Sequence, residues 1–241
     1  MTPHDRTDIV ADWLEARSDG GSLDRATMLR RAMVGATSLL LSGGLAACGQ
    51  AHTAVDQQAD AQDAATARRR VLIAYFSRAG ENYYYGGRRD LKIGNTEVVA
   101  TMTRRHIVAD VYRIRAASPY PHGYDATVAR NVREQNADAR PKIANPLKSI
   151  DAYDVILLGS PIWNVRPPMI MSTFAESFDF RGKTIHPFVT YAVSELGTTM
   201  ETYGALSTGA RISTGLAVLG ETVRGADPQV RAWLRRINLL R

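Results

Sequence analysis

Short apolar runs alternate with helical patterns along residues 71–241. Val71–Phe76 is wholly apolar, and residues 155–159 form a second such run. Runs of this length and composition are typical of strands that are buried on both faces. Residues 110–114 instead alternate polar and apolar side chains, which favours a strand at the edge of a sheet. Two further strands are predicted at residues 184–191 and 212–219.

Five helical segments follow these strands in turn. The pattern predicts helices at residues 96–106, 124–136, 169–178, 198–206 and 227–238. Val128 and Val132 lie four residues apart in the second helix, and Val230, Trp233 and Leu234 share one face of the last. Strands that alternate with helices predict an α/β fold with a doubly wound, five-stranded parallel sheet.

The first 70 residues have a different composition. Residues 1–29 are polar, Arg30 and Arg31 follow, and an apolar run then ends in Leu45-Ala46-Ala47-Cys48. This run is shorter than the roughly 20 apolar residues that span a bilayer, so residues 1–47 are predicted to be a signal peptide. Residues 48–70 are rich in Ala, Gln, Asp and Thr and predict a flexible tether before a domain at residues 71–241.

Two motifs in the leader predict where the protein resides. The stretch that ends at Cys48 resembles a bacterial lipobox, so Cys48 is the predicted lipidation site of a membrane-anchored lipoprotein outside the cytoplasm. Arg30 and Arg31 resemble a twin-arginine export signal. Because Leu29 stands where that signal usually has Ser or Thr, a general secretory lipoprotein signal remains an alternative. Cys48 is the only cysteine, which excludes a disulfide within the chain.

The loop after the first strand contains a candidate anion site. Ser77 follows the strand, and Gly94-Asn95-Thr96 opens the first helix after an interruption. The first N–H groups of a helix have no partner within the helix, and the Ser77 and Thr96 hydroxyls and the Asn95 amide add donors. These residues fit a phosphate site and an ordinary capped strand–turn–helix equally well. In a doubly wound sheet the ligand lies beyond the carboxyl ends of the strands, which adds residues 160–168 and 191–199 as candidate loops.

Several segments together resemble the flavodoxin-like family, in particular its exported, lipoprotein-linked branch. The resemblance lies in residues 72–82, in Gly94-Asn95-Thr96, in Pro119-Tyr120-Pro121 and in Gly159-Ser160-Pro161-Ile162-Trp163. It implies the strand order 2-1-3-4-5 and FMN as the cofactor. Ala192-Val193-Ser194-Glu195 in the third loop departs from the glycines that the family often has there.

The resemblance also implies a role for each loop. The first would hold the FMN phosphate, the second would lie along the isoalloxazine with Trp163 over one face, and the third would close on the flavin edge. The alternative for Trp163 is a rim residue that fills the gap between helix and sheet. The positions carried over are Ser77, Arg78, Ala79, Gly94, Asn95, Thr96, Pro161, Ile162, Trp163, Asn164, Tyr191, Ser194 and Gly197.

An insert at residues 83–90 splits the first loop with three tyrosines, two glycines, two arginines and an aspartate. A mobile lid over an anionic or aromatic substrate and a surface hairpin that packs its tyrosines on the domain are both compatible with this composition. The histidines His106, His122 and His186 have no metal-ligand spacing and are interpreted as surface or packing residues.

The resemblance implies an FMN-dependent oxidoreductase that moves electrons from a reduced donor to a small acceptor such as a quinone. Residues 71–241 contain 22 Lys and Arg against 15 Asp and Glu, a net charge of +7. Electron-carrying flavodoxins are typically acidic, so this charge favours either a reaction with an anionic or quinone-like substrate or docking on an acidic donor. The alternatives are an electron-transfer module without its own substrate and a binding lipoprotein that has lost FMN. We expect no metal and no nucleic acid among the partners.

Overall fold

The computed structural model describes residues 69–240. The predicted signal peptide with Arg30 and Arg31, the lipidation site Cys48 and the tether up to residue 68 lie outside this range. The strands are β1 Val71–Phe76, β2 Gly80–Tyr84, β3 Gly87–Leu91, β4 Asp110–Ile114, β5 Val155–Pro161, β6 Thr184–Tyr191, β7 Arg211–Ile212 and β8 Leu216–Leu219. The helices are α1 Asn95–His106, α2 Tyr124–Asn136, α3 Met169–Glu176, α4 Thr199–Leu206 and α5 Asp227–Arg236, and a 3₁₀ helix spans Gly220–Gly225.

The main sheet is parallel, with β4, β1, β5 and β6 side by side and β7 and β8 both paired with β6. The predicted order 2-1-3-4-5 is therefore confirmed, and β4 lies at an edge as its alternating pattern indicates. All six residues of β1 are buried because the strand supplies two cores. Ile73 packs with α1 and α5 on one face of the sheet, and Leu72 packs with α3 and α4 on the other.

The fifth strand differs from its prediction. Instead of one strand at 212–219, two short segments pair with the two ends of β6, and residues 213–215 leave the ladder. His186 and Pro187 of β6 lie opposite this gap. Pro187 has no N–H to donate to a neighbouring strand. The Thr214 carbonyl accepts hydrogen bonds from the side chains of His186 and Trp233 instead of from a strand.

The helix bounds agree with the predicted ones to within two residues, but the buried face of α2 was not readable from its valines. Val128 and Val132 are 42% and 40% exposed, whereas Thr127 and Asn131 are buried. The Thr127 hydroxyl donates to the carbonyls of Pro121 and Gly123, so this helix packs through polar side chains. No helix within residues 69–240 is long and apolar enough to cross a bilayer.

Candidate functional site

The end of β1 and the start of α1 meet at Gly94. A Cβ atom on Gly94 would overlap the Arg78 carbonyl oxygen and the Ser77 hydroxyl, so only glycine lets the two backbones come this close. The Ser77 hydroxyl oxygen accepts the N–H of Glu97 at 3.1 Å. The sequence thus brings two separate segments of the predicted phosphate loop into direct contact.

Free backbone amides collect where these segments meet. Within residues 69–240, the N–H groups of Arg78, Ala79, Asn95 and Thr96 donate no hydrogen bond. Asn95 and Thr96 form the first turn of α1, where the helix dipole favours a negative charge. Amides that point outward from a turn and a helix start form an anion-binding nest. The residues present therefore fit a phosphate group.

The side chains around this nest have other partners. The Thr96 and Thr190 hydroxyl oxygens lie 2.8 Å apart and are buried, so one of the two hydroxyls donates to the other. If Thr96 is the donor of this pair, its hydroxyl hydrogen is used within the protein and its backbone N–H is the donor left at the nest. The Asn95 carboxamide lies against Gly220, where a Cβ would come within 2.6 Å of its nitrogen.

The Arg78 guanidinium joins neighbouring loops. Its Nη1 donates to the carbonyls of Pro121 at 3.0 Å and His122 at 2.9 Å, and its Nη2 donates to the Glu81 carbonyl. Burial lowers the pKa of Arg78, and the nearby charge of Glu81 opposes that shift. The two Nη groups of Arg78 are thus bound to protein carbonyls, whereas its buried Nε–H has no hydrogen-bond partner among residues 69–240.

The insert is an antiparallel hairpin formed by β2 and β3. Glu81 anchors it, since its N–H donates to the His122 carbonyl at 3.0 Å and its carboxylate accepts the Tyr124 N–H at 3.1 Å. The Arg88 guanidinium stacks 3.7 Å from the centre of the Tyr124 ring. At the tip, Tyr85 is 62% exposed. The hairpin is thus fixed at its base, while its tip tyrosine faces solvent.

The second loop begins as a tight turn after β5. The Trp163 N–H donates to the Arg166 carbonyl at 2.9 Å, and the two residues between them, Asn164 and Val165, have φ angles of 53° and 59°. A β-branched residue rarely adopts this conformation, so Val165 is strained. The Gln135 side chain holds the turn, since it donates to the Trp163 carbonyl at 3.1 Å and accepts from the Asn164 amide at 2.9 Å.

The third loop closes against this turn. The Val165 carbonyl accepts the Thr198 N–H at 2.8 Å, and the Gly197 N–H donates to the Ser194 carbonyl at 2.7 Å. Gly197 has a φ of 51°, and a Cβ on it would overlap the Val165 carbonyl. Gly197 thus allows the close contact between the second and third loops.

An aromatic cluster lies at the mouth of the sheet between these loops. The Trp163 ring meets Phe76 edge-on at 5.6 Å and Tyr120 at 5.1 Å between centroids. Tyr120 in turn donates its hydroxyl hydrogen to Glu134 at 2.7 Å, and Arg130 lies over the Tyr120 ring at 3.9 Å. Burial, and then the hydrogen bond to Glu134, raise the pKa of Tyr120.

Trp163 is only half-buried within this cluster, so part of its ring is available to a ligand. Sequence reasoning had assigned no role to Tyr120 or to its partners Arg130 and Glu134. Two features of the sequence indicate this cluster. They are the Pro-Tyr-Pro motif around Tyr120 and the spacing of four residues between Arg130 and Glu134 on α2.

The predicted site residues all lie at the carboxyl edge of the main sheet. Pro161 ends β5, and the Ile162 N–H donates to the Thr190 carbonyl at 2.9 Å. Tyr191 ends β6, with its carbonyl oxygen beside Gly220. The structure brings the backbone of the first loop together as a nest and locks the second loop to the third. The Arg78 Nη groups bind carbonyls of neighbouring loops, and the Thr96 hydroxyl pairs with that of Thr190.

The fold and these motifs match a known family. The sequence profile of the Flavodoxin family matches residues 70–237, and the chain belongs to this family. The predicted resemblance and the flavodoxin-like fold are confirmed. None of the curated proteins matches the sequence.

Two solved structures of Bacteroides proteins are similar to the chain. A protein classed as a flavoprotein from Bacteroides eggerthii is 28% identical, with a TM-score of 0.57, and covers 70% of this chain and 98% of its own. A second, from Bacteroides uniformis, is 26% identical, with a TM-score of 0.55, and covers 69% of this chain and 98% of its own. The similarity therefore extends over almost the whole of both relatives.

Proposed function

We propose that the protein binds FMN at the carboxyl edge of its sheet and transfers electrons from a reduced donor to a small acceptor such as a quinone. The observation that supports it best is the nest of free amides of Arg78, Ala79, Asn95 and Thr96 beside Gly94. Membership of the flavodoxin family adds to this support. Bound FMN would supply the electron-accepting and electron-donating chemistry.

The chain's own residues would hold and shield the cofactor. The four amides would bind the phosphate, and the paired second and third loops would border the isoalloxazine. The half-buried Trp163 ring is placed to stack on a flat aromatic ligand, and Phe76 and Tyr120 support it from behind. The strained turn at Asn164 and Val165 presents backbone groups at this border.

The test of cofactor binding is calorimetric titration of the purified full chain with FMN and with riboflavin. The two ligands share the isoalloxazine and differ in the phosphate. If the nest binds the phosphate, FMN should bind at least about a hundred-fold more tightly, because several charge-assisted hydrogen bonds are lost with riboflavin. Equal affinities would contradict the phosphate assignment, and binding of neither ligand would favour a binding lipoprotein without flavin.

The catalytic part of the proposal needs a separate test. The net charge of +7 on residues 71–241 favours an anionic or quinone-like substrate over the role of an acidic carrier. NADH or NADPH oxidation with a soluble quinone, measured on FMN-loaded protein, should show multiple turnovers. A flavin that is reduced chemically but turns over no quinone would favour the electron-transfer module.

The proposed location is the outer side of the cytoplasmic membrane or beyond, with the domain held by a lipid on Cys48. This rests on the leader alone, namely the apolar run that ends in Leu45-Ala46-Ala47-Cys48 and the composition of residues 49–68.

A further inference from the structure

A second polar cavity lies at the opposite edge of the sheet from the flavodoxin-type loops. It has a volume of about 330 Å³ and is formed where β5, β6 and β7 begin and α5 ends. Parallel strands run from this edge to the other, and the seven residues of β5 place the two sites roughly 20 Å apart. We call it the arginine cavity; its polar lining includes Arg69, Arg211, Arg236, His186, Thr184 and Ser213.

The charge of the arginine cavity is unbalanced. No carboxylate within residues 69–240 forms an ion pair with Arg69, Arg211 or Arg236. Asp154 is the one acidic residue of the lining, and its carboxylate accepts the Arg70 backbone N–H at 3.0 Å. Arg211 donates to the Thr184 hydroxyl at 3.2 Å, which leaves most of its guanidinium N–H groups available.

Among the described residues of the lining, only the Asp154 carboxylate offsets this positive charge. Burial lowers the pKa of His186, and the charges of Arg211 and Arg69 lower it further against the hydrogen bond to the Thr214 carbonyl. The end of α5 presents few free carbonyls, since the Leu234 carbonyl already accepts the N–H groups of Leu239 and Leu240. The cavity therefore combines three guanidinium groups, hydroxyl donors and one backbone-paired carboxylate.

We propose that the arginine cavity binds a phosphate group, either in the headgroup of an anionic phospholipid or in a soluble phosphate ester. Arginine forks match phosphate oxygens with paired hydrogen bonds, and three arginines suit a dianion. This site is separate from the proposed flavin site, and it does not depend on that site binding FMN.

The chain's path favours the lipid source. Arg69 and Arg70 precede β1, and the Arg70 carbonyl accepts the N–H groups of Asp154 and Val155. The chain thus enters the domain beside the cavity. Cys48 is 21 residues before Arg69, and a flexible linker of that length spans roughly 25 Å on average. A lipid on Cys48 would hold this edge near headgroups and leave the flavin loops facing away.

Calorimetry and NMR on the full chain test the phosphate site with inorganic phosphate and glycerol 1-phosphate as probes. We expect saturable binding that shifts the ring resonances of His186 and persists with excess FMN, which competes only at the amide nest. Arg211→Gln and Arg236→Gln should each weaken binding about ten-fold or more, because each removes charge-assisted hydrogen bonds. Arg236→Lys keeps the positive charge but lacks the paired donors of a guanidinium. Its affinity for the probes should lie between those of the wild type and Arg236→Gln.

Arg235→Gln is the matched control, because it removes the same charge from the adjacent position of α5 outside the cavity lining. Thermal melts of every variant establish that it is folded. Absence of saturable binding to the wild type, or an equal loss in Arg235→Gln, would overturn the proposal.

A vesicle experiment distinguishes the two sources of phosphate. Full-chain protein is sedimented with phosphatidylcholine vesicles that contain none or about a third phosphatidylglycerol. If the headgroup is the ligand, Arg211→Gln and Arg236→Gln should reduce binding to the anionic vesicles several-fold more than Arg235→Gln does. Equal vesicle binding by all three variants, together with the selective loss of glycerol phosphate binding, would assign the cavity to a soluble phosphate ester.

Discussion

The buried hydroxyl groups of Thr96 and Thr190, whose oxygens lie 2.8 Å apart, join the first turn of α1 to the end of β6. Thr96 belongs to the anion nest, and Thr190 directly precedes the third loop. The pair therefore sets the spacing between the proposed phosphate site and the proposed flavin edge. Among the described residues, each of these hydroxyls has the other as its only hydrogen-bond partner.

A double-mutant cycle should reveal this pair as an energetic unit. Thr190→Val leaves the buried Thr96 hydroxyl unpaired and should lower the free energy of unfolding by about 1–3 kcal/mol. Thr96→Val with Thr190→Val removes both polar groups and should cost less than the sum of the single changes. Urea unfolding of the wild type, the two single variants and the double variant measures the four free energies of unfolding. Strictly additive losses of this free energy would contradict the pairing. FMN affinity of folded Thr96→Val should change little, because its N–H remains.

Gly94→Ala should disrupt the nest directly. The added methyl group would overlap the Arg78 carbonyl and the Ser77 hydroxyl, so the start of α1 must move away from the loop. Loss of even one charge-assisted hydrogen bond predicts at least about ten-fold weaker FMN binding. Flavin titration of folded protein measures this. Gly225→Ala is the control, since a Cβ there meets nothing within 4 Å, and an equal loss in both variants would refute the assignment.

Much of the fold could be predicted because the determining signals are local. The apolar runs at Val71–Phe76 and residues 155–159 mark central strands whatever their partners. The bounds of α2 were likewise predicted to the residue, but its orientation was not. Val128 and Val132 indicated an apolar buried face, whereas α2 packs on loop carbonyls through Thr127.

The site was less predictable because its contacts connect distant segments. The pairing of Thr96 with Thr190 spans 94 residues, and the Val165 carbonyl meets Thr198 across two loops. The resemblance assigns Arg78 to the phosphate loop, but it does not reveal that three carbonyls in neighbouring loops bind the Arg78 guanidinium. The unpartnered backbone amides at the start of α1, by contrast, could be predicted, because every helix start leaves such groups.

Trp163→Leu should weaken FMN binding while leaving the fold intact. Offset stacking of two aromatic surfaces contributes about 0.5–1.5 kcal/mol beyond burial, which predicts a loss of about two- to ten-fold. Bound FMN should also quench Trp163 fluorescence in the wild type. Trp233→Phe is the control, because Trp233 is wholly buried against Phe188 away from the carboxyl edge. That variant should lower stability and keep FMN affinity, and the opposite pattern would assign Trp163 to packing alone.

His186 should make the domain less stable in mild acid. Burial is the main cause that holds its pKa below the ordinary value, with the hydrogen bond to the Thr214 carbonyl opposing it. The unfolded chain, with a His pKa of about 6.5, therefore takes up this proton first as the pH falls. The loss of folding stability that His186 causes is absent above about pH 7.5. It grows as the pH falls through the pKa of the unfolded chain.

His186→Asn keeps a donor near Thr214 and removes the titration. Urea unfolding of the wild type at pH 8 and at pH 5.5 should show a larger loss of stability than the same comparison for His186→Asn. Replacing the exposed His122 by Asn serves as the control and should leave the wild-type difference in place. If His186→Asn retains the full acid loss, another group causes it.

The leader and the proposed cofactor lead to a last prediction about export. A protein exported unfolded must find FMN outside the cytoplasm, where free cofactor is scarce, whereas the twin-arginine route carries folded, loaded domains. A ligand that binds only the folded state adds about 2.7 kcal/mol of stability at a hundred-fold excess over its dissociation constant. FMN would therefore favour the form that this route exports.

Replacing Arg30 and Arg31 by lysine should then retain a flavin-loaded precursor inside the cell, whereas Cys48→Ser should pass the membrane and lack the lipid. Cell fractionation, flavin absorbance and mass spectrometry of the amino terminus distinguish these products. Gly94→Ala tests whether export depends on the cofactor, because a domain that cannot hold FMN should be exported less well. Unimpaired export of the double-lysine variant would indicate the general secretory route, since that route does not read the arginine pair. Normal export of a folded Gly94→Ala protein would separate export from cofactor loading and leave the flavin site to be judged by titration alone.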